Sequence, residues 1–288
     1  MSGYKTAGLT SFAMLAFAAN SVLCRLALAD AQITPLTFTQ LRLAAGALVL
    51  LLLVRFGRRA ADAPRFRFSW RALGAPAALV LYAAPFSLAY VELEAGTGAL
   101  VLFACVQLTM LIAAVVQGER PRPLQWAGLL LALAGLVYLL LPGAGAPPLG
   151  AAVVMAVAGV AWGAYTLLGR GSADPVRVTA TNFVGATLLV LLPWLAVEGL
   201  SGASALGVGL AVASGALASG VGYAVWYAAL PHLSAMRAAV VQLIVPALAS
   251  AFGVAFMGEQ LTLRLVLATA LILGGVALAL VIRERPRA

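Results

Sequence analysis

One segment of this chain occurs twice. Residues Ala95 to Leu141 superimpose on Ala235 to Val281 at a shift of 140 positions, without a gap. Ala99 falls on Ala239, Val101 on Val241, Leu108 on Leu248, Leu131 on Leu271, Leu133 on Leu273 and Gly135 on Gly275. In a chain rich in alanine and leucine, such aliphatic matches alone carry little weight. Gly118-Glu119 also falls on Gly258-Glu259, closing one apolar run ahead of a polar turn and the next run. That combination is hard to reach by chance and divides the chain into two related halves, 1–143 and 144–288.

Each half must fold in a bilayer. Hydrophobic residues make up 64% of the chain, charged residues 9%, and the mean hydropathy is +1.05. A soluble domain carries roughly a quarter charged residues, and its surface helices show one polar face. Here most windows are apolar all round. A spanning helix needs about 20 mainly apolar residues. Ten such runs can be read: 8–29, 34–54, 72–91, 97–117, 124–141, 149–168, 178–197, 206–229, 236–257 and 264–282. The first resembles a signal peptide at Ala27-Leu28-Ala29, but its apolar core is too long and its leading segment carries only Lys5, so it is expected to be retained.

The formal charge of +9 comes from arginine in the connections, which excludes a nucleic-acid partner as its cause. With a cytoplasmic N-terminus, one side collects fifteen Lys and Arg residues, among them Lys5, Arg55, Arg120, Arg122, Arg170, Arg177 and Arg237. The other side keeps two, Arg25 and Arg264. Both termini are therefore expected on the cytoplasmic side of a bacterial inner membrane. Five spans per half is an odd number, so the second half enters the membrane in the opposite sense. The expected fold is all-α, ten transmembrane helices as two inverted five-helix repeats. Inverted repeats are the architecture of secondary transporters, with substrate near the midplane between the halves. Cys24 and Cys105 lie in apolar runs without metal-ligand spacing and read as packing residues.

The ten-span layout, the two Gly-Glu pairs and the run Trp-Tyr-Ala-Ala-Leu-Pro-His-Leu-Ser-Ala at 226–235, with its degenerate partner Phe86 to Ala95, resemble the EamA-domain branch of the drug/metabolite transporter superfamily. The chain is most similar there to YddG-type amino-acid exporters. The resemblance implies export of small metabolites and no cofactor. One departure stands out: span 9 carries Pro246, whereas the equivalent position of span 4 is Val106, which puts a kink shared by both halves in doubt.

Aromatic and amide side chains within the spans supply the candidate substrate-binding residues. In span 8, Tyr223, Trp226 and Tyr227 share one helical face, beside the small residues Ser214, Gly215, Ser219 and Gly222. Tyr and Trp offer a flat apolar surface with a polar tip, suited to an amphipathic solute, and they also favour headgroups. Tyr223 and Trp226 are assigned to a cavity and Tyr227 to the interface. Span 3 repeats the theme with Tyr82, Phe86 and Tyr90 around Pro85, Tyr90 reading as interfacial; span 6 adds Trp162 and Tyr165. Among buried amides Asn20, Gln107 and Gln242 are candidates, whereas Gln40 and Asn182 read as helix-end residues. Arg42 lies about 12 Å into span 2 at the helical rise; snorkelling or backbone contacts are favoured for it over a substrate carboxylate. Glu119, beside Arg120 and Arg122, and Glu259, beside Arg264, are candidates for gating ion pairs, but ordinary solvated turn charges are the favoured reading.

No span carries a central carboxylate or histidine, which argues for a facilitator or exchanger over a proton-coupled relay. An intramembrane enzyme would need a nucleophile, metal constellation or acid pair, and none is readable. A channel would show charged rings or a carbonyl filter. The expected partners are a small amphipathic solute and the lipid bilayer, and the chain is compatible with a monomer.

Overall fold

The computed structural model describes residues 3–56, 73–118, 123–169, 172, 174–199, 201–233, 238 and 241–281. Glu119, its candidate partners Arg120 and Arg122, and most of the connection arginines lie outside these residues. Ten helical spans follow one another among the described residues. They are α1 (Gly3–Ala29), α2 (Pro35–Phe56), α3 (Gly74–Ala89), α4 (Ala95–Val116) and α5 (Pro123–Leu140). The second half supplies α6 (Leu149–Leu168), α7 (Pro175–Val197), α8 (Ala205–His232), α9 (Ile244–Met257) and α10 (Leu263–Val281). Seven are long and apolar enough to cross a membrane; α3, α9 and α10 are shorter apolar helices.

The outside of the bundle is as apolar as its core. Leu48, Leu130, Leu188 and Leu217 are 59 to 62% exposed, an arrangement that water would penalise and lipid accepts. Several threonines inside the spans are satisfied within their own helix. Thr109, Thr166 and Thr187 each donate to the carbonyl four residues back, at 2.7, 2.8 and 2.7 Å.

The packing of the helices carries the inverted repeat. Raising each first-half number by five, and lowering each second-half number by five, maps the principal contacts onto one another. Helix α3 packs on α6 as α8 packs on α1; α4 packs on α6 as α9 packs on α1; α3 packs on α7 as α8 packs on α2. The pairs α2–α7, α4–α9 and α5–α10 map onto themselves and lie across the pseudo-two-fold. Most contacts thus join the halves, and the core runs through both.

Glycines set the closest crossings. Where α5 meets α10, a Cβ on Gly275 would stand 2.5 Å from the Ala132 nitrogen, and one on its repeat partner Gly135 2.8 Å from Leu271 Cβ. Shared small residues let the two backbones approach directly. The repeated Gly-Glu pairs have a backbone cause as well. Gly118 and Gly258 both adopt a left-handed conformation, at φ values of +90° and +69°, which ends α4 and α9 without a Cβ penalty.

The halves differ in one respect. Helix α4 runs unbroken through Val106, whereas Leu243 forms a turn in the ninth span and Pro246 sits in the first turn of α9. There its missing N–H costs no helical bond.

Helix α8 is irregular at its centre. Residues Ser214–Val221 form a π-helical segment between two α-helical stretches. A π turn brings residues five apart onto one side, so Ser214 and Ser219 both face α1 and α2. Ser214 donates to Asn20 Oδ1 at 2.6 Å and Ser219 accepts from Arg42 Nε at 3.4 Å.

Candidate functional site

A cavity of about 440 Å³ lies between the halves, within the size range of small-molecule sites. All nine candidates taken from the sequence line it: Asn20, Tyr82, Phe86, Gln107, Trp162, Tyr165, Tyr223, Trp226 and Gln242. They come from α1, α3, α4, α6, α8 and the start of the ninth span.

Trp162 is the centre of the wall. Its ring lies 4.7 Å from Tyr82, 5.3 Å from Tyr165 and 5.4 Å from Tyr223, the last two stacked. It is half-buried while its neighbours Tyr82, Tyr165 and Tyr223 are buried. The pseudo-symmetric helix α1 contributes Phe17, whose ring lies 5.6 Å from Tyr223 and 6.2 Å from Trp226. Tyr82, Phe86 and Tyr90, one turn apart on α3, form a ladder with ring spacings of 5.4 and 4.7 Å.

Several residues read otherwise from the sequence belong to this region. Asn182 and Tyr227 line the cavity and are tied to its wall: Asn182 Nδ2 donates to the Tyr165 hydroxyl at 3.3 Å, and Thr179 donates to that of Tyr227 at 3.4 Å. Asn182 thus lies within α7 instead of at its end, and Tyr227 turns to the cavity wall. Tyr90 is fully buried and donates to the Ala95 carbonyl at 3.3 Å, so it plugs the bundle instead of facing lipid. Gln40 is buried, with Oε1 unpartnered among the described residues. Phe17, Ser21, Thr179 and Ser219 also line the cavity and were missed; short hydroxyl side chains give no periodic signal, and a lone Phe in an apolar run looks like any other core residue.

Arg42 neither snorkels nor binds a backbone carbonyl among the described residues. It is 1% exposed. Its guanidinium lies 4.8 Å over the Phe86 ring and 5.1 Å over Tyr82, and Nη2 donates to the Tyr82 hydroxyl at 2.8 Å. Tight crossing holds α2 against α8 here, since a Cβ on Gly215 would overlap the Arg42 carbonyl.

The cavity is asymmetric along the membrane normal. It reaches Gly169, Ser172 and Pro175 at the α6–α7 connection, and Leu230 and Ala238 between α8 and α9. These lie at the face where α1 begins, here the near face. At the far face polar side chains tie the helix ends together. Arg25 Nη1 donates to the carbonyls of Tyr90 and Val91 at 3.0 and 2.6 Å, and its Nε lies 3.9 Å from Glu259. Glu259 accepts the Ala95 N–H at 2.8 Å. Thr34 and Thr37 donate to Glu198, and Trp194 Nε1 donates to Thr37 at 3.0 Å. Arg264, the candidate partner of Glu259, instead donates to the Leu141 carbonyl and lies 5.8 Å over the Tyr138 ring. The open carbonyls ending α5 offer it a nearer partner.

Ten spans in two inverted halves, enclosing an aromatic cavity that reaches one face, define a multi-pass membrane transporter. The EamA-like transporter family matches residues 5–141 and again 149–281, one match per half, and the chain belongs to that family. The uncharacterized protein PA1977 of Pseudomonas aeruginosa is 53% identical over 276 residues, covering 96% of this chain and 94% of that protein. A protein of known crystal structure shares the fold with a TM-score of 0.71 at 22% identity, over 99% of this chain and 100% of its own.

Proposed function

We propose that this transporter exports small amphipathic metabolites, above all amino acids of the neutral and aromatic kind, by alternating access through the central cavity. It does so in a bacterial inner membrane with both termini cytoplasmic. The observation that carries this reading is the cavity itself, walled by Trp162, Tyr82 and Tyr223, reaching the near face and tied shut at the far face. With a cytoplasmic near face, this is the loading state of an exporter. Exchange of the two inverted halves' conformations supplies the releasing state. The described residues lining the cavity include no Asp, Glu or His, which favours facilitated exchange over proton coupling through a buried acid. Each five-helix repeat, 1–143 and 144–288, acts as one arm of the exchange. The aromatic wall would suit a drug-like cation too, and that is the second reading.

Counterflow in proteoliposomes tests it. Vesicles holding purified protein are preloaded with unlabelled amino acids, and entry of labelled ones is followed without an ion gradient. Transient accumulation, lost in Trp162→Ala while the protein stays folded, is the expected result. Absence of counterflow with every amino acid would remove the substrate class, and accumulation only with lipophilic cations would favour the second reading.

A further inference from the structure

Arg42 is a guanidinium held at 1% exposure in the middle of a membrane protein. The one ion pair among the described residues joins Arg25 and Glu259 at the far face, so no described carboxylate neutralises Arg42. Arginine stays protonated under all ordinary conditions, and a buried charge without a counter-ion is costly. Two aromatic faces and two hydrogen bonds offset part of that cost. They do not complete the shell, because Nη1 has no partner among the described residues.

The Tyr82 hydroxyl passes this charge toward the cavity. Its oxygen accepts from Arg42 Nη2 at 2.8 Å, which leaves its own proton to be donated elsewhere. No described residue accepts that proton, and Tyr82 lines the cavity. A hydroxyl already accepting from a cation is a polarised, stronger donor. Ser219, which accepts from Arg42 Nε at 3.4 Å, lines the same part of the cavity. Two hydroxyls thus stand between one fixed positive charge and the solute space.

We infer that the solute's carboxylate docks at Tyr82 and Ser219, with Arg42 behind them as its permanent counter-charge. This deepens the reading of the protein as an amino-acid transporter and rests on it. The rest of the solute then lies along Trp162, whose ring is 4.7 Å from that of Tyr82. The geometry selects for carboxylates: an ammonium at the same place would meet a donor and a cation, and an amide carbonyl would accept the hydrogen bond but bring no charge to offset Arg42.

Paired solutes that differ at that group test the inference. Binding of phenylalanine and leucine, and of phenylalaninamide and leucinamide, is read from quenching of the native tryptophan fluorescence of the purified protein. The wild-type protein is expected to bind each acid at least tenfold more tightly than its amide. Tyr82→Phe, which keeps the ring, is expected to reduce that ratio to below threefold. The wild-type ratio needs no variant to fold, and equal affinity for acid and amide, or binding of neither, overturns the site. Counterflow separates the two proposals. Transport of amides as fast as acids would remove the anchor and leave the transporter; selective binding without counterflow would leave the anchor and remove the transport reading.

Discussion

Glu259 accepts the backbone N–H of Ala95 with both carboxylate oxygens, at 2.8 and 3.0 Å. Ala95 opens α4, and the residue preceding it, Glu94, makes no side-chain cap. A carboxylate from another helix therefore supplies the negative charge that a helix N-terminus favours. Gly253 makes room for it, since a Cβ there would overlap Glu259 Oε2. Arg25, lying 3.9 Å from the same carboxylate, binds the carbonyls that end α3. One charge pair thus ties α1, α3, α4 and α9 together at the far face.

Removing the carboxylate should loosen this closure. A hydrogen bond to a charged group contributes about 1.5–3 kcal/mol, so Glu259→Ala should shift the balance toward far-side opening by roughly 10- to 150-fold. Cys24, buried and unpaired one residue before Arg25, is a native reporter. In a Cys105→Ser background, a membrane-impermeant thiol reagent applied from the far side should label Cys24 in Glu259→Ala much faster than in the parent.

Closure should also respond to pH. Burial raises the Glu259 carboxyl above its ordinary value, and nearby Glu94 adds to the rise; the Ala95 N–H and Arg25 offset part of it. A raised carboxyl value means that the closed arrangement binds its proton more tightly than a solvated one. The stability it contributes is fully present below the ordinary carboxylate value and is lost as pH rises through the raised value. Far-side labelling of Cys24 should therefore increase with pH across that window more steeply than the thiolate fraction alone requires. The same titration in Glu259→Gln should show the thiolate-driven rise alone.

The α2–α8 crossing admits no added methyl group. Gly215→Ala would drive a Cβ into the Arg42 carbonyl, and overpacking of this kind costs about 1–3 kcal/mol. A Cβ on Gly209, two turns earlier on the same helix, would meet no described atom within 4 Å. Gly209→Ala should be neutral or stabilising by roughly 0.5–1 kcal/mol, as helix propensity dictates. Thermal unfolding of the two variants in detergent separates packing from propensity, and equal shifts would refute the packing account.

Orientation is testable independently of transport. A fluorescent protein fused after the last residue should be bright in a bacterial host, and alkaline phosphatase at the same position inactive. The reverse pattern would place the near face outside and turn the proposed exporter into an importer.

Much of the fold was legible because bilayer physics leaves few choices. Apolar runs of spanning length must be helices; the odd number of spans per repeat forces inversion; and buried aromatic or amide side chains must find polar company, so all nine candidates meet in one cavity. Individual partners were less legible. Arg264, five residues away, is the candidate partner of Glu259 in sequence, yet Glu259 closes on Arg25 and Ala95, more than 160 residues distant in sequence. Sequence proximity says little about pairing when helix ends from different repeats meet at one face.

The sequence by itself determined the class of structure: how many helices, how the halves are related, and which side chains are too polar or too aromatic to face lipid. Those follow from transfer free energies and periodicity, which are local properties of the chain. Only the tertiary structure decided which end of the cavity is tied shut, that the ninth span breaks at Leu243 while α4 runs through Val106, and that a π turn sets Ser214 and Ser219 on one side of α8. It alone decided that Arg42 lies against Tyr82 and Phe86 with no carboxylate among the described residues beside it. These depend on how helices distant in sequence interlock, where the balance of packing, hydrogen bonds and desolvation is settled collectively.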